Sequence, residues 1–415
     1  MPPMTSMTFT ARVASSIAAV DAAGWDACAN PPGRSRSDAE GERFNPFITH
    51  AFLHALEASG SVGGRSGWTP AHVVVEDPAG RMVAAAPTYL KSHSQGEYVF
   101  DHAWADAYER AGGRYYPKLQ VAAPFTPVTG RRLLVAGDAP KGARETLIGA
   151  LRELRKQTKA SSIHVTFPTL DDAERLADAG FLIRNGEQFH FLREGFSTFD
   201  DFLAALASRK RKAIKRERRE ALGGDVTIEW VTGASIRPHH WDAFFAFYMD
   251  TGSRKWGRPY LTRGFFDRVG SSLADRILLV MARRAGRYIA GAINFIGDDA
   301  LYGRNWGAIE DRPFLHFEVC YYQAIEFALS RGLQRVEAGA QGEHKLARGY
   351  RPVLTYSAHE FADARLGKAV ADYLRHERVA VERTIAHYQG HAPFRRAESH
   401  ATTGEKSGEP FDADL

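Results

Sequence analysis

Cysteine is almost absent from this 415-residue chain: Cys28 and Cys320 are the two, far apart, and no disulfide framework can be read from them. No apolar run approaches the ~20 residues that a membrane-spanning helix needs. The N-terminal stretch MPPMTSMTFTARVASS has no charged segment followed by an apolar one, which predicts a chain without a signal peptide. Metal-ligand patterns are also missing. His50 and His54 in HAFLHALE have the i,i+4 spacing of a helical metal pair, but no Glu follows the first His and no third ligand is evident, so no metal is expected. These absences exclude a disulfide-stapled miniprotein and a helical membrane protein. They predict a globular protein of the cytoplasm with no transmembrane segment.

What is there is an ordinary globular mixture, 44% hydrophobic and 25% charged, on a chain longer than the ~250–300 residues one core serves. Two domains are therefore expected. The first half opens with a strand at Thr8–Ala14, a helix near Ala18–Ala29 and a polar loop at Gly33–Gly41. NPFITHAFLHALEASGS follows with helical spacing and Asn45 as N-cap. AHVVVEDPAGRMVAAAPTYLK predicts two strands joined at Asp77–Gly80, where proline and glycine supply the turn. A helix at Asp101–Gly113, a strand at Arg131–Ala136 and a basic amphipathic helix at Ala143–Thr158 come next. Strand Ile163–Phe167, helix Asp171–Ala179 and two short strands through Leu192 close the half.

The second half repeats that order. Helix Asp200–Ala207 runs into a basic segment, then strand Val226–Val231, helix Trp241–Tyr248 and the hairpin DRILLVMARRAGRYIAGAINFIG. Strand Leu301–Trp306, apolar helix Phe314–Ser330, strand Arg335–Ala338, a short helix near Glu343–Arg348, strand Leu354–Glu360 and a polar helix ending near Tyr388 complete it. From His391 the polar, charged composition predicts a disordered tail, 391–415. AGRMVAAAPTYL aligns on AGRYIAGAINFI with Gly80 on Gly286, Arg81 on Arg287, Ala84 on Ala290 and Ala86 on Ala292 at one offset. Shared order and offset predict tandem domains, 8–195 and 196–390.

Strands, a helix, a strand, a helix and closing strands form the order of the GNAT (Gcn5-related N-acetyltransferase) fold, and two such units resemble the Fem-type aminoacyl transferases. Three stretches resemble more particularly a bacterial family of FemAB-like N-acyltransferases of the peptidoglycan biosynthesis or recognition type. They are NPFITHAFLHALEASGSVG with Gly67-Trp68, KSHSQGEYVFDHAWADAYERAGGRYYPKLQVAAPFTPVTGRRLL, and GAQGEHKLARGYRPVLTYSAHE. The resemblance runs from about Asn45 to Glu360 and implies an α/β fold of two tandem GNAT-like domains, each a mixed, largely antiparallel sheet flanked by helices. It implies transfer of an acyl or aminoacyl group to an amine by direct attack, on a peptidoglycan-type precursor, with a small-molecule or lipid-linked amine acceptor and no tightly bound cofactor. The acyl donor is aminoacyl-tRNA or acyl-CoA. Coenzyme A enzymes of this fold carry a Gln/Arg-x-x-Gly-x-Gly/Ala loop whose N–H groups hold pyrophosphate. AIEDRPFLHFEV and AGDAPKGARETL stand there instead, with Lys141, Gly142 and Arg144 as phosphate candidates in the second of these. A rival reading is a non-catalytic GNAT-like binding module that recognises a peptidoglycan precursor or RNA.

Acyl transfer to an amine needs a base, donors for the oxyanion and ordered reactants. In GNAT-like folds these gather where the third and fourth strands of the repeat splay, beside the strand after the central helix, at Gly303–Trp306 and Gly339–Tyr350 here. In GAQGEHKLARGYRP the glycines 339, 342 and 349 permit tight turns around a dense polar group. Glu343 or His344 is a candidate base, Lys345 and Arg348 candidate ligands of a carbonyl or phosphate, and Tyr350 a candidate acid; the alternative is a solvated helix start. Glu318, on an apolar helix, is a second candidate base or else a structural carboxylate. Asn305, Trp306, Asp101, His102, Tyr116, Lys118 and Phe125 are expected to bind substrate, aromatic walls with a few orienting polar groups being the usual make-up of a cleft. Cys320, among apolar residues, reads as core. Residues 208–219 hold eight Lys/Arg against one Glu, which outweighs the formal net charge of +5 and leaves the rest of the chain slightly acidic. Arg209, Lys210, Arg211, Lys212, Lys215 and Arg216 are thus expected to meet a polyanion, tRNA or a lipid-linked substrate, rather than to be merely a solvated face.

Overall fold

The computed structural model describes residues 8–31, 43–256, 259–339, 342–390 and 393–395, so the loop expected at Gly33–Gly41 lies outside the described residues. The first half runs β1 (Thr10–Ala14), α1 (Ala22–Ala29), α2 (His50–Ala58), β2 (Trp68–Pro70), β3 (His72–Glu76), β4 (Met82–Ala86), β5 (Thr88–Lys91), α3 (His102–Arg110), β6 (Lys118–Val121), β7 (Leu134–Val135), α4 (Ala143–Thr158), β8 (Ser162–Thr166), α5 (Leu170–Asp178) and β9 (Leu182–Leu192). The second runs α6 (Phe199–Ala205), α7 (Ser208–Leu222), β10 (Val226–Thr232), α8 (Pro238–Trp256), α9 (Arg263–Ser272), β11 (Ile277–Arg284), β12 (Arg287–Ile296), β13 (Ala300–Ala308) and α10 (Leu315–Phe317). A π-helical turn, Glu318–Tyr322, then leads to α11 (Gln323–Ser330), β14 (Arg335–Glu337), a 3-10 helix (Glu343–Arg348), β15 (Arg351–Phe361) and α12 (Ala364–Gly390).

α4 has its expected ends because Leu147, Ile148, Leu151 and Leu154 recur on one face and are buried. Other elements differ for local reasons. Asn45 caps a short turn, Pro46–Ile48, and Thr49 caps α2 instead, its hydroxyl accepting from the Phe52 N–H. The strand expected over Arg131–Ala136 shrinks to Leu134–Val135; Arg132 is turned inward and donates to the carbonyls of Val128, Arg131 and Thr166. The two short strands expected before Leu192 are one, β9, of 11 residues. No pattern predicts α9, whose Gly264, Gly270, Ser271 and Ser272 form helix poorly; burial of Phe265, Phe266 and Val269 overrides that. Within the tail expected to be disordered, Pro393–Arg395 is docked. Phe394 bridges Leu206, and the Arg351 guanidinium lies 4.7 Å over its ring.

Two sheets result, a 4-stranded one in the order β1-β3-β4-β7 and an 11-stranded one in the order β10-β11-β12-β13-β14-β9-β15-β8-β6-β5-β2. The repeated hairpin explains both their likeness and their difference. Its glycines, Gly80 and Gly286, take φ of +79 and +78 at the two turns. After Gly80 the strand stops at Ala86, because Pro87 has no N–H to give the ladder, and the chain resumes as β5 in the larger sheet. After Gly286 it continues unbroken as β12, and at the matching place, opposite Ile293 and Asn294, its neighbour β13 bulges at Arg304.

The halves keep their order of elements but not separate sheets. β9, from the first half, pairs with β14 and β15 of the second, and β15 pairs with β8 of the first. Their cores are shared as well. Phe47 and Phe52 pack on Phe295 at ring distances of 5.0 and 5.6 Å, and Phe52 also meets Phe265 at 5.7 Å. Each such buried ring contributes roughly 1.5–3 kcal/mol. In each half one parallel pair, β6 with β8 and β13 with β14, is joined through a helix on the sheet face. The second of these pairs positions the candidate site.

Candidate active site

β13 and β14 are hydrogen-bonded only from Ala300–Tyr302 to Arg335–Glu337; beyond that β13 stays with β12 while the chain after β14 turns away at Gly339, φ +80. Into that splay opens a cavity of about 470 Å³. Arg304, Asn305, Trp306 and Gly339 form one side, residues 94–100 with His102 and Pro127 from the first half another, and Tyr248, Thr251, Gly252, Pro259 and Tyr260 the third. β13 can lie under α8 because Gly307 has no side chain: a Cβ there would collide with the Phe247 carbonyl oxygen. Tyr260 stacks on Phe125 at 4.7 Å, which places the expected Phe125 behind the wall, and the Phe125 carbonyl accepts from Arg304.

Beneath the aromatic walls lies a buried polar layer. Glu97 is 4% exposed, its Oε1 3.5 Å from Lys91 Nζ and 3.4 Å from Lys118 Nζ, yet without a hydrogen-bond partner among the described residues. Burial, with the charge of Lys118 adding to it against the pull of Glu97, lowers the Lys91 ammonium to about 7. Lys118 Nζ donates to Ser94 Oγ at 2.7 Å and to Asp101 Oδ2 at 2.5 Å. Burial opposes ionisation of Asp101, but Lys118, His164 and the hydrogen bonds from Lys118 and Ser94 together outweigh it and hold the carboxyl well below the usual range. Tyr116 Oη shares a hydrogen bond with Ser94 at 2.8 Å. Of the residues expected in a cleft, Asn305, Trp306 and His102 line it, and Asp101, Tyr116 and Lys118 support its floor.

The loop after β14 is tied to the same place. Lys345, 1% exposed, donates from Nζ to the Gly339 carbonyl at 2.8 Å, and burial lowers its ammonium to about 8. His344 is largely exposed and bonds Tyr321 Oη through Nε2 at 2.9 Å; the partial burial of its ring, then the charges of Arg348 and Lys345, lower its basicity. Rings run from Trp306 to His316 at 4.9 Å, then to Tyr321 at 5.3 Å and His344 at 5.7 Å, joining cavity to loop. The Glu343 side chain lies outside the described residues. Gly342 and Gly349 take φ of +119 and +87, and a Cβ on Gly349 would collide with the Phe202 ring.

Three expected site residues are placed elsewhere. Glu318 is fully buried and saturated: Arg218 donates to it from Nε at 3.0 Å and from Nη2 at 2.9 Å, and Gln323 at 2.7 Å. It anchors α7 rather than facing the cavity, which corrects the reading of Glu318 as a base. Arg348 is spent on Glu217, both hydrogen bonds at 3.0 Å, with its guanidinium 3.3 Å over Phe317, and so is not directed at a substrate phosphate. Tyr350 is 0% exposed, its ring edge-on to Tyr321 at 5.6 Å, and burial pushes its phenol well above 10, which removes it as a proton donor to the cavity. On α7, Arg209, Lys210, Lys212, Lys215 and Arg216 are exposed and Arg211 half-buried, on a helix whose Glu217 grips the 3-10 helix through Arg348.

Sequence reasoning missed Glu97, Lys91, Arg304, Tyr98, Tyr248 and Tyr260. The available signal was a lone acid beside a glycine in KSHSQGEYVF; nothing local pairs it with lysines 6 residues before and 21 after.

A repeat built on splayed parallel strands, with titratable side chains at the splay, defines the class of fold: tandem GNAT-type. Within it, the sequence matches the FemAB-like family, described as peptidoglycan biosynthesis/recognition, over residues 16–396, and the chain belongs to that family. FemX superposes with a TM-score of 0.51 at 13% identity, over 80% of this chain and 96% of FemX, a likeness of fold. L-PGS from Bacillus licheniformis gives 0.48 at 10% identity over 81% and 98% of the two chains. A tandem GNAT protein from the clavulanic acid biosynthesis pathway gives 0.45 at 12% over 86% and 99%. No curated protein matches the sequence significantly. No helix among the described residues is long and apolar enough to cross a membrane.

Proposed function

We propose that this protein is a cytoplasmic N-acyltransferase that takes an aminoacyl group from charged tRNA and transfers it to the amine of a peptidoglycan-type precursor, with no tightly bound cofactor. The observation that carries this reading is the cavity at the β13/β14 splay with Glu97 buried at its edge, one carboxylate oxygen lacking a hydrogen-bond partner. An acceptor ammonium fits between that carboxylate and the rings of Tyr98, Tyr248, Tyr260 and Trp306. Glu97 removes its proton; the amine nitrogen attacks the acyl carbon, the C–N bond forms, the bond to the donor's ribose oxygen breaks, and that oxygen takes a proton. No covalent enzyme intermediate is needed. His344, neutral near pH 7, and Lys345, near its own pKa at about 8, are the loop's acid–base candidates on the donor side. Glu343 stays a candidate by position. The exposed cations of α7 lie beside that loop and suit a phosphate backbone.

Acyl-CoA is the second donor considered. Against it, Glu310 and Asp311 precede α10 where a pyrophosphate loop would stand, and Arg312 is engaged by Asp225 and the Ala221 carbonyl. The deciding experiment is competition binding with labelled aminoacyl-tRNA against uncharged tRNA and a panel of acyl-CoA thioesters. Preference for charged tRNA without thioester competition supports the reading. Failure of tRNA to bind, with direct thioester binding, overturns the donor, and tight binding of charged tRNA without turnover on any precursor favours the binding-module alternative.

A further inference from the structure

Acyl transfer from an ester to an ammonium group leaves one proton over. The nitrogen loses two as it becomes an amide, and the leaving oxygen takes only one. From the reaction cavity a row of buried side chains leads away. Ser94 Oγ is 2.7 Å from Lys118 Nζ, which is 2.5 Å from Asp101 Oδ2; Tyr115 Oη donates to that oxygen at 2.8 Å and lies 3.4 Å from His164 Nε2. His164 Nδ1 meets His359 Nδ1 at 2.7 Å, and His359 Nε2 meets Ser357 Oγ at 2.8 Å. Ser94 lines the reaction cavity, and Ser357 lines a second cavity of about 340 Å³ on the far side of the Tyr98–Phe100 wall. From Lys118 to Ser357 no link is more than 3% exposed.

The histidine pair has a property that a purely structural network does not require. If His164 Nδ1 carries the hydrogen, His359 Nδ1 accepts it, His359 Nε2 donates to Ser357, and His164 Nε2 accepts from Ser162, 2.7 Å away, while the one hydrogen of Tyr115 Oη goes to Asp101. If His359 Nδ1 carries it, every donor and acceptor reverses and every bond is still made, because a hydroxyl at each end serves in either sense. Two equally satisfied orientations are what hopping protons need. The charged groups facing the pair are Asp101, Lys118 and Arg184. Burial, with Lys118 among the further causes, lowers His164 to about 3, and burial likewise lowers His359, so both rest as neutral imidazoles.

We propose that this row is a proton conduit from the reaction cavity to the second cavity, carrying off the proton that acyl transfer releases; it rests on the acyl-transfer reading above. Each link takes one proton from the cavity side as it gives another onward, the Tyr115 hydroxyl turning its hydrogen from Asp101 to His164 Nε2 to do so, and Glu97, 3.4 Å from Lys118, feeds it. Ring-nitrogen NMR of protein labelled with 15N-histidine tests it without any substrate. His164 and His359 are expected to show shifts averaged between protonated and bare nitrogen, replaced by fixed tautomers in Ser357→Ala, which leaves both rings in place. Fixed tautomers in the native protein overturn the conduit whatever the protein catalyses. With charged tRNA and a peptidoglycan precursor peptide bearing a free amine, Ser357→Ala should lower kcat roughly tenfold at unchanged KM and raise the solvent deuterium isotope effect. An unchanged kcat and isotope effect also overturn it. No turnover by the native protein with any donor counts against acyl transfer, and the NMR result then decides the conduit alone.

Discussion

At Glu97 a carboxylate sits between two buried ammonium groups without a hydrogen bond to its Oε1, a costly arrangement unless that oxygen has work in the cavity. Glu97→Gln is isosteric and is expected to lower kcat roughly 100- to 10,000-fold, with KM for the donor unchanged, in steady-state transfer assays. Lys345 makes a prediction about stability. Its ammonium falls from 10.5 to about 8 on folding, so between those pH values the unfolded chain binds the extra proton, and stability rises with pH through that window. Below about pH 8 the buried charge is a standing penalty. Lys345→Met should therefore be the more stable protein at pH 7, by roughly 2–3 kcal/mol, and should lose that alkaline rise; urea melts of both proteins from pH 7 to 10.5 measure the difference. The sequence shows Lys345 as one charge among four, and only the fold separates it, tied to the Gly339 carbonyl, from the exposed His344 and the paired Arg348.

Among elements, α7 has two faces that the basic run hides. Its outer cations are solvent-facing, while Ile214 and Ala221 are buried and Arg218 turns inward to Glu318. Replacing Lys210, Lys212 and Lys215 together by alanine should weaken tRNA binding, with the slope of log affinity against log salt falling by about one for each phosphate no longer neutralised. Folding stability should change by no more than about 0.5 kcal/mol for each exposed site. Glu318→Ala should do the reverse. It leaves Arg218 with Glu326, 2.8 Å away, as its remaining carboxylate and is expected to cost about 1.5–3 kcal/mol in chemical denaturation, while the α7 surface that faces phosphate is retained.

The whole molecule unfolds as its strand order dictates. Because β9 lies between β14 and β15, and β15 between β9 and β8, neither half can complete its sheet alone. Calorimetry is expected to give one transition, with tryptophan fluorescence and far-UV circular dichroism coincident in urea. Residues 8–195 and 196–390 expressed separately should each be unfolded or aggregated. Two separable transitions would mean that strand exchange does not couple the halves.

Much of this architecture was written locally. Period-3.6 burial marks α4, the Asp77–Gly80 and Ala285–Gly286 turns mark the hairpins, and a shared offset marks the repeat, since each depends on residues a few positions apart. The splay at Gly303–Trp306 and the turn at Gly339 also follow from element order once the fold is recognised. What the tertiary structure alone decided is which charges meet. Glu97 reaches Lys118, His164 reaches His359, and Glu318 reaches Arg218 through strand pairings and helix packing between residues as much as 195 positions apart. Burial then lowers the proton affinity of His164 and His359, and no spacing along the chain encodes that, because desolvation depends on everything packed around a side chain.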